Sequence, residues 1–230
     1  MLTLDGVTLA QGDFRLTADL RIAPGLTAVI GPSGGGKSTL LAAVAGFLAP
    51  RAGRILWDGT DITARIPGDR PVTMLFQDNN LFPHLTIAQN VGLALAPRLR
   101  LTMVQQGQVS DALASVGLEG MGDRKPRALS GGQQGRAALA RALLADRPVV
   151  LLDEAFAALG PSLRHEMLTL VRDRLVGQGR TVIVVTHDPQ DARDFANQVV
   201  LVADGMAHPP QDTAALFADP PAALRAYLGT

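Results

Sequence analysis

The 230-residue chain has no cysteine, only two lysines, three glutamates, one tryptophan and one tyrosine. Without thiols there is no disulfide, no thiolate metal site and no cysteine nucleophile, a composition suited to a reducing compartment. Net charge is missing as well. Lys plus Arg and Asp plus Glu each number 21, so no basic excess marks a nucleic-acid surface, and nucleic acid is not an expected partner. No apolar run approaches the ~20 residues that span a bilayer. The longest candidate, Leu40 to Ala49, is interrupted by Gly46, and Met1 does not lead into the basic flank and apolar stretch of a secretory signal. What the chain has in quantity is apolar surface: 47% hydrophobic residues against 18% charged. That suffices for a buried core and one globular domain with appendages.

Periodicity divides the chain. Leu2 and Leu4, then Phe14, Leu16, Ala18, Leu20 and Ile22, hold a period of two and predict a half-exposed antiparallel sheet. Thr27 to Ile30 is instead apolar on both faces and runs into a glycine cluster, after which Leu40, Leu41, Val44 and Leu48 are helically spaced. Arg54 to Trp57 and Val72 to Phe76 predict two further short strands. From Gln77 to about Ala145 helical stretches replace strands, which predicts a helical subdomain inserted into a sheet domain. Val149 to Leu152 and Thr181 to Val185 then predict parallel central strands, with a helix over Pro161 to Val176 between them. Gln198 to Ala203 predicts a last strand, and the tail predicts a polar helix broken by Pro220-Pro221.

The glycine cluster, Gly31-Pro32-Ser33-Gly34-Gly35-Gly36-Lys37-Ser38 followed by Thr39, fits G-x-x-x-x-G-K-[ST] between a buried strand and a helix. Glycines let successive backbone N–H groups turn toward one point, and the helix start adds partial positive charge. Lys37 can then reach the terminal phosphates of a nucleotide, and Ser38 can ligate Mg²⁺. One of only two lysines stands at the position that requires one. The Val149 to Leu152 strand delivers Asp153 and Glu154 to its C-terminal end, where open α/β sheets place ligands. There Asp153 can hold Mg²⁺ and Glu154 can polarise a water for in-line attack on a γ-phosphate. Farther up the chain, Ser130 followed by Gln133 forms a capping box that starts a helix with outward-facing N–H groups.

Leu129-Ser130-Gly131-Gly132-Gln133 resembles the signature of ABC-type ATPases. With the phosphate loop and the acid pair, the motifs fall in that family's order over nearly the whole chain. The resemblance implies an α/β P-loop NTPase fold with a RecA-like core, an N-terminal antiparallel β subdomain and an inserted α-helical subdomain. On this sequence it divides the single domain into residues 1–77, 78–147, 148–205 and a tail 206–230. It further implies that Ser130, Gly131, Gly132 and Gln133 close over ATP held by the phosphate loop of a second copy, in a head-to-tail homodimer. Gln77 resembles the Q-loop glutamine that touches Mg²⁺ or the lytic water. His187 resembles the switch histidine that steadies the γ-phosphate. Implied partners are a transmembrane permease and, indirectly, a periplasmic solute-binding protein, with the chain peripheral at the cytoplasmic face of the inner membrane.

The sequence departs from the family pattern at Gln11, at Gly135 and after Glu154, where the usual Pro-Phe-Ser-Ala-Leu-Asp reads Ala155-Phe156-Ala157-Ala158-Leu159-Gly160. Gln11 stands where an aromatic residue usually stacks on adenine, with Phe14 three residues later; Gly135 replaces a usual Gln or Arg. Gly160 replaces an Asp that in the family crosses the dimer interface, which implies weaker coupling of the two sites or another group in its place. Within the family, Met74 to Thr86, Val104 to Gly107 and Glu166 to Val171 resemble the ATPase subunits of bacterial thiamine importers. ATPases for polyamine, sulfate or iron import, and non-transport ABC ATPases, remain alternatives.

Overall fold

Strand β1 (Leu2–Gln11) and strand β2 (Phe14–Ile22) bury alternate residues, as their period of two requires. The computed structural model describes residues 1–76, 78 and 80–229. Strand β3 (Gly25–Ile30) leads into the glycine loop, and helix α1 (Lys37–Ala45) leaves it. Strands β4 (Ala52–Trp57), β5 (Thr60–Asp61) and β6 (Val72–Leu75) follow. Next come helices α2 (Ile87–Gly92), α3 (Met103–Ser115) and α4 (Gly131–Leu144), with no strand among their described residues. Each of the three opens on a capping box: Thr86 with Gln89, Thr102 with Gln105, and Ser130 with Gln133. Strand β7 (Val149–Asp153), helix α5 (Pro161–Arg174), strand β8 (Thr181–Val185), helix α6 (Pro189–Phe195) and strand β9 (Gln198–Ala203) restore the α/β alternation.

The strands lie in the order β5-β4-β1-β2, then a short strand β10 (Met206–Ala207), then β9-β3-β8-β7-β6. Strands β9, β3, β8, β7 and β6 are mutually parallel, whereas β2, β1, β4 and β5 are antiparallel. Strands β9, β3, β8 and β7 are buried on both faces because two layers cover them, whereas the edge strand β6 is only partly covered. Leu26, Ala28, Ile30, Val150, Leu152, Val182 and Val184 face the core shared with α2 to α5. Their alternates Val29, Val149, Leu151, Ile183 and Val185 face α1 and the apolar sides of β1 and β2. A one-residue slip would exchange the two sets, so the register is fixed from both sides.

Two local expectations change. Helix α1 stops at Ala45 rather than reaching Leu48, because Gly46 adopts φ 90° and its N–H turns back to the carbonyls of Ala42 and Ala43. The tail is not helix alone. Strand β10 and strand β11 (Gln211–Asp212), each two residues long, precede helix α7 (Thr213–Ala218) and helix α8 (Ala222–Leu228). Elements this short carry no period for a sequence to display.

Arg70 secures the far end of α1. Although it is one of the most deeply buried side chains, its guanidinium donates to the carbonyls of Ala43 (2.7 Å), Val44 (2.9 Å), Thr63 (2.7 Å) and Arg65 (2.9 Å). Ala43 and Val44 lie in the last turn of α1, where helix carbonyls lack intrahelical partners. Arg70→Met keeps the length of the side chain and leaves these carbonyls unsatisfied. The expected cost is about 3 kcal/mol, read as a lower urea midpoint at unchanged slope.

Candidate active site

The glycine loop is shaped by close approaches that only glycine tolerates. Gly31 has φ 144°, and a Cβ there would sit 2.0 Å from the Val202 carbonyl oxygen on β9. Gly36, the residue before α1, has φ 103°, and a Cβ there would meet the Phe14 ring at 2.5 Å. Lys37 folds back over the loop, its Nζ donating to the carbonyls of Gly31 and Pro32, both at 2.9 Å. Burial, partly offset by the charges of Glu154 and Asp153, pulls the Lys37 pKa down. The loop thus holds a desolvated cation against its own carbonyls, within the electrostatic reach of both acids.

Ser38 and Asp153 meet across the cleft between α1 and β7, with Ser38 Oγ donating to Asp153 Oδ1 at 2.9 Å. Burial pushes the Asp153 carboxyl up, and Glu154 adds to this, while the Ser38 hydrogen bond and Lys37 act in the opposite direction. Glu154 sits at φ 49°, a left-handed conformation uncommon for a non-glycine residue. Its N–H donates to the Val185 carbonyl at 3.3 Å and its own carbonyl accepts from Ala157 N–H at 3.0 Å, so the backbone turn is held independently of the carboxylate. A cavity of about 860 Å³ opens beside this pair, lined by Ser38, Phe76, Asp78, Asn80, Asp153 and Glu154. Asp78 belongs to no motif; its sequence signal is its place three residues after β6, on the side of the sheet where the other strands end.

A second opening, at the front of the loop, is bordered by Gln11, Phe14, Ser33, Gly34, Lys37 and Thr39. The aromatic ring near the loop is therefore Phe14, packed over Gly36. His187 follows β8 and shares a crevice with Glu154, Arg164 and Asp191. Its neighbours are braced: Thr186 Oγ1 donates to Asp191 Oδ2 at 2.7 Å, Arg164 Nε lies 3.1 Å from Asp191 Oδ1, and Arg164 also pairs with Asp188. Asp188 in turn caps α6 by accepting from Gln190 N–H at 3.0 Å. Gln77 lies outside the described residues.

The structure keeps the signature residues apart from this cleft. Ser130 Oγ accepts from Gln133 N–H at 3.3 Å while Gln133 Oε1 accepts from Ser130 N–H at 3.0 Å, the reciprocal pair expected of a capping box. Gly131 is exposed at the helix start, and Gly132 is pinned beneath it, where a Cβ would lie 2.4 Å from Leu163 of α5. None of these four residues lines either opening at the phosphate loop.

The donor set suits a hard divalent cation. Ser38 and Asp153 offer oxygen only, and among the described residues no group of three or more His, Cys, Asp or Glu side chains forms an all-protein metal cage. Mg²⁺ is characteristically held in this way, through one or two carboxylates with nucleotide phosphates completing its shell.

A family model described as ABC transporter matches residues 17–157. The chain belongs to the ABC transporter family. As an ATP-binding cassette it is 62% identical over 230 residues, all of both chains, to a thiamine import ATP-binding protein of Cereibacter sphaeroides. It is 54% identical, again over the whole of both chains, to a protein of the same description from a Ruegeria species. Among solved structures, a dimeric ATP-binding cassette in a post-hydrolysis state with ADP and Pi superposes with a TM-score of 0.79 at 30% identity, covering 93% of this cassette and 99% of that chain. The α/β architecture implied by the motif order is thus the family's fold. Among the described residues, no helix of this cassette is long and apolar enough to cross a membrane.

Proposed function

We propose that the chain is the ATP-hydrolysing subunit of an importer for thiamine and its phosphates, acting as a head-to-tail homodimer beneath a membrane permease. The observation that carries the cargo is the end-to-end 62% identity to a thiamine import ATP-binding protein. For the chemistry, the support is the convergence of Lys37, Ser38, Asp153 and Glu154 on one cleft. The glycine loop Gly31 to Thr39 would cradle the phosphates with its N–H groups, and Lys37 would exchange its two loop carbonyls for phosphate oxygens. Ser38 and Asp153, with Gln77, would hold Mg²⁺. When bound, Mg²⁺ supplies the positive charge that offsets the phosphate oxygens.

Glu154 then orients a water and takes its proton as the oxygen attacks the γ-phosphorus, the bond to the β–γ bridging oxygen breaks, and ADP leaves with that electron pair. His187 steadies the γ-phosphate from the β8 side. Ser130, Gly131, Gly132 and Gln133 have no role inside their own chain's cleft, which suits a role across the dimer at the partner's nucleotide. A solute-binding protein would deliver cargo on the far side of the membrane, placing this chain at the cytoplasmic face. Thiamine-stimulated ATPase in proteoliposomes carrying the chain, its permease and the binding protein tests the reading. Stimulation by polyamine, sulfate or iron instead of thiamine would reassign the cargo and leave the ATPase reading standing.

Gly160 allows a sharper test of the dimer. It precedes α5 with φ −63° and ψ 158°, ordinary extended backbone, and a Cβ there meets nothing within 4 Å. Gly160→Asp therefore fits without strain and adds a side-chain cap worth a few tenths of a kcal/mol (~0.3). If the absent acid weakens coupling between the two nucleotide sites, the variant raises the Hill coefficient for ATP in the assembled complex. An unchanged rate and cooperativity would refute that account of Gly160.

A further inference from the structure

The chain's one tyrosine reaches back to the switch loop from the last helix. Tyr227, on α8, donates its hydroxyl to the carbonyl oxygen of His187 at 2.8 Å, across 40 residues. Helix α8 is seated firmly enough to make this a fixed point. Leu224 is completely buried, Tyr227 and Leu228 pack on the same core cluster as α5 and β8, and Arg225 Nη1 donates to the Pro220 carbonyl at 2.7 Å.

What sets the aim of His187 is otherwise sparse. Its side chain is exposed, and among the described residues nothing hydrogen-bonds its imidazole, so its direction follows from the backbone. Thr186 on one side is tied to Asp191, and Asp188 on the other is tied to Arg164 and, through its N–H, to Thr186 Oγ1 at 3.1 Å. Among the described residues the His187 carbonyl itself has one partner, the Tyr227 hydroxyl. We infer that Tyr227 is a positioning residue for the hydrolysis: by holding the His187 carbonyl it fixes the peptide plane from which the imidazole projects toward the γ-phosphate.

The phenol is suited to remain a donor. Burial, then the negative charges of Asp188 and Glu154, push its pKa up, which favours the protonated hydroxyl that this hydrogen bond requires. The far C-terminal helix is thereby joined to the one loop that approaches the nucleotide from β8.

This inference rests on the ATPase reading of the site, and the experiment separates the two. Full-length chain assembled with its permease is compared as wild type, Tyr227→Phe, His187→Ala and the double variant. Phenylalanine keeps the ring and its packing and removes only the hydroxyl. Tyr227→Phe is expected to lower kcat roughly tenfold with KM for ATP and the thermal midpoint unchanged, since a small misalignment of a catalytic group acts on the rate alone. In the His187→Ala background, followed by single-turnover hydrolysis, the same change is expected to cost nothing further. An unchanged kcat in Tyr227→Phe, an equal loss in both backgrounds, or a kcat that falls together with the thermal midpoint would each overturn the positioning role. If Tyr227→Phe is silent while His187→Ala loses turnover, the site reading stands and this inference alone fails. Full turnover in His187→Ala would remove the role of His187 and this inference with it, whereas loss of hydrolysis in the wild-type assembly itself would remove the ATPase reading.

Discussion

Glu154→Gln should reduce ATP turnover by about three orders of magnitude while leaving ATP binding intact. The argument is structural as well as chemical. The left-handed turn at Glu154 is secured by its own N–H to Val185 and by Ala157 N–H to its carbonyl, neither of which involves the side chain. Glutamine therefore occupies the same space on the same backbone and presents an amide that cannot accept the water's proton. Lys37 and the loop N–H groups, which would grip the phosphates, are untouched. ATP should then hold the dimer closed without resetting it, so the variant should elute as a dimer in MgATP where the wild type reverts to monomer. Phosphate release and size-exclusion chromatography in the same buffer check both halves. Retention of most hydrolysis would exclude Glu154 as the base.

Lys37→Ala should act on the earlier step. Its ammonium is buried against the Gly31 and Pro32 carbonyls, and burial pulls its pKa down while the charges of Glu154 and Asp153 act in the opposite direction. A phosphate oxygen in place of a loop carbonyl brings full negative charge to the ammonium at hydrogen-bond distance. Removing Lys37 forfeits a charge-assisted contact worth ~2–3 kcal/mol, equivalent to an ATP affinity weaker by roughly 30- to 150-fold. Turnover falls with it, because the same ammonium offsets charge in the transition state. Calorimetric titration with ATP separates the two variants: Glu154→Gln binds and does not turn over, Lys37→Ala barely binds. Wild-type affinity in Lys37→Ala would mean that Lys37 stays on its loop carbonyls in the bound state.

Much of the site was legible because its signals are local. The phosphate loop is read from eight consecutive residues between a buried strand and a helix, and the acid pair from its place at the end of a wholly apolar strand. The capping box at Ser130 needs only a hydroxyl and an amide three residues apart. Long-range facts were not legible. Nothing in the sequence marks Arg70 as the partner of the α1 carbonyls, since a lone Arg in a loop ordinarily faces water. Nor does anything announce that Tyr227 would reach His187, or that Phe14 would pack over Gly36. Asp78 shares the cavity only because β6 and β7 are neighbours, and sheet order is not written in local pattern. Cargo is a different case: the cleft contains phosphate chemistry alone, so thiamine enters through likeness to relatives.

The two-residue strand β10 joins the two halves of the sheet. Met206 and Ala207 pair with Ala203 and Val202 on β9 and with Thr17 and Ala18 on β2, splicing the antiparallel part of the sheet to the parallel part. Val202, at one end of this splice, is also the residue whose carbonyl crowds Gly31 in the phosphate loop. The outer ribbon of β1, β2 and β4 is therefore tied by backbone pairing, among the described residues through β10 alone, to the strand whose Val202 carbonyl leaves no room for any residue but glycine at the start of the phosphate loop.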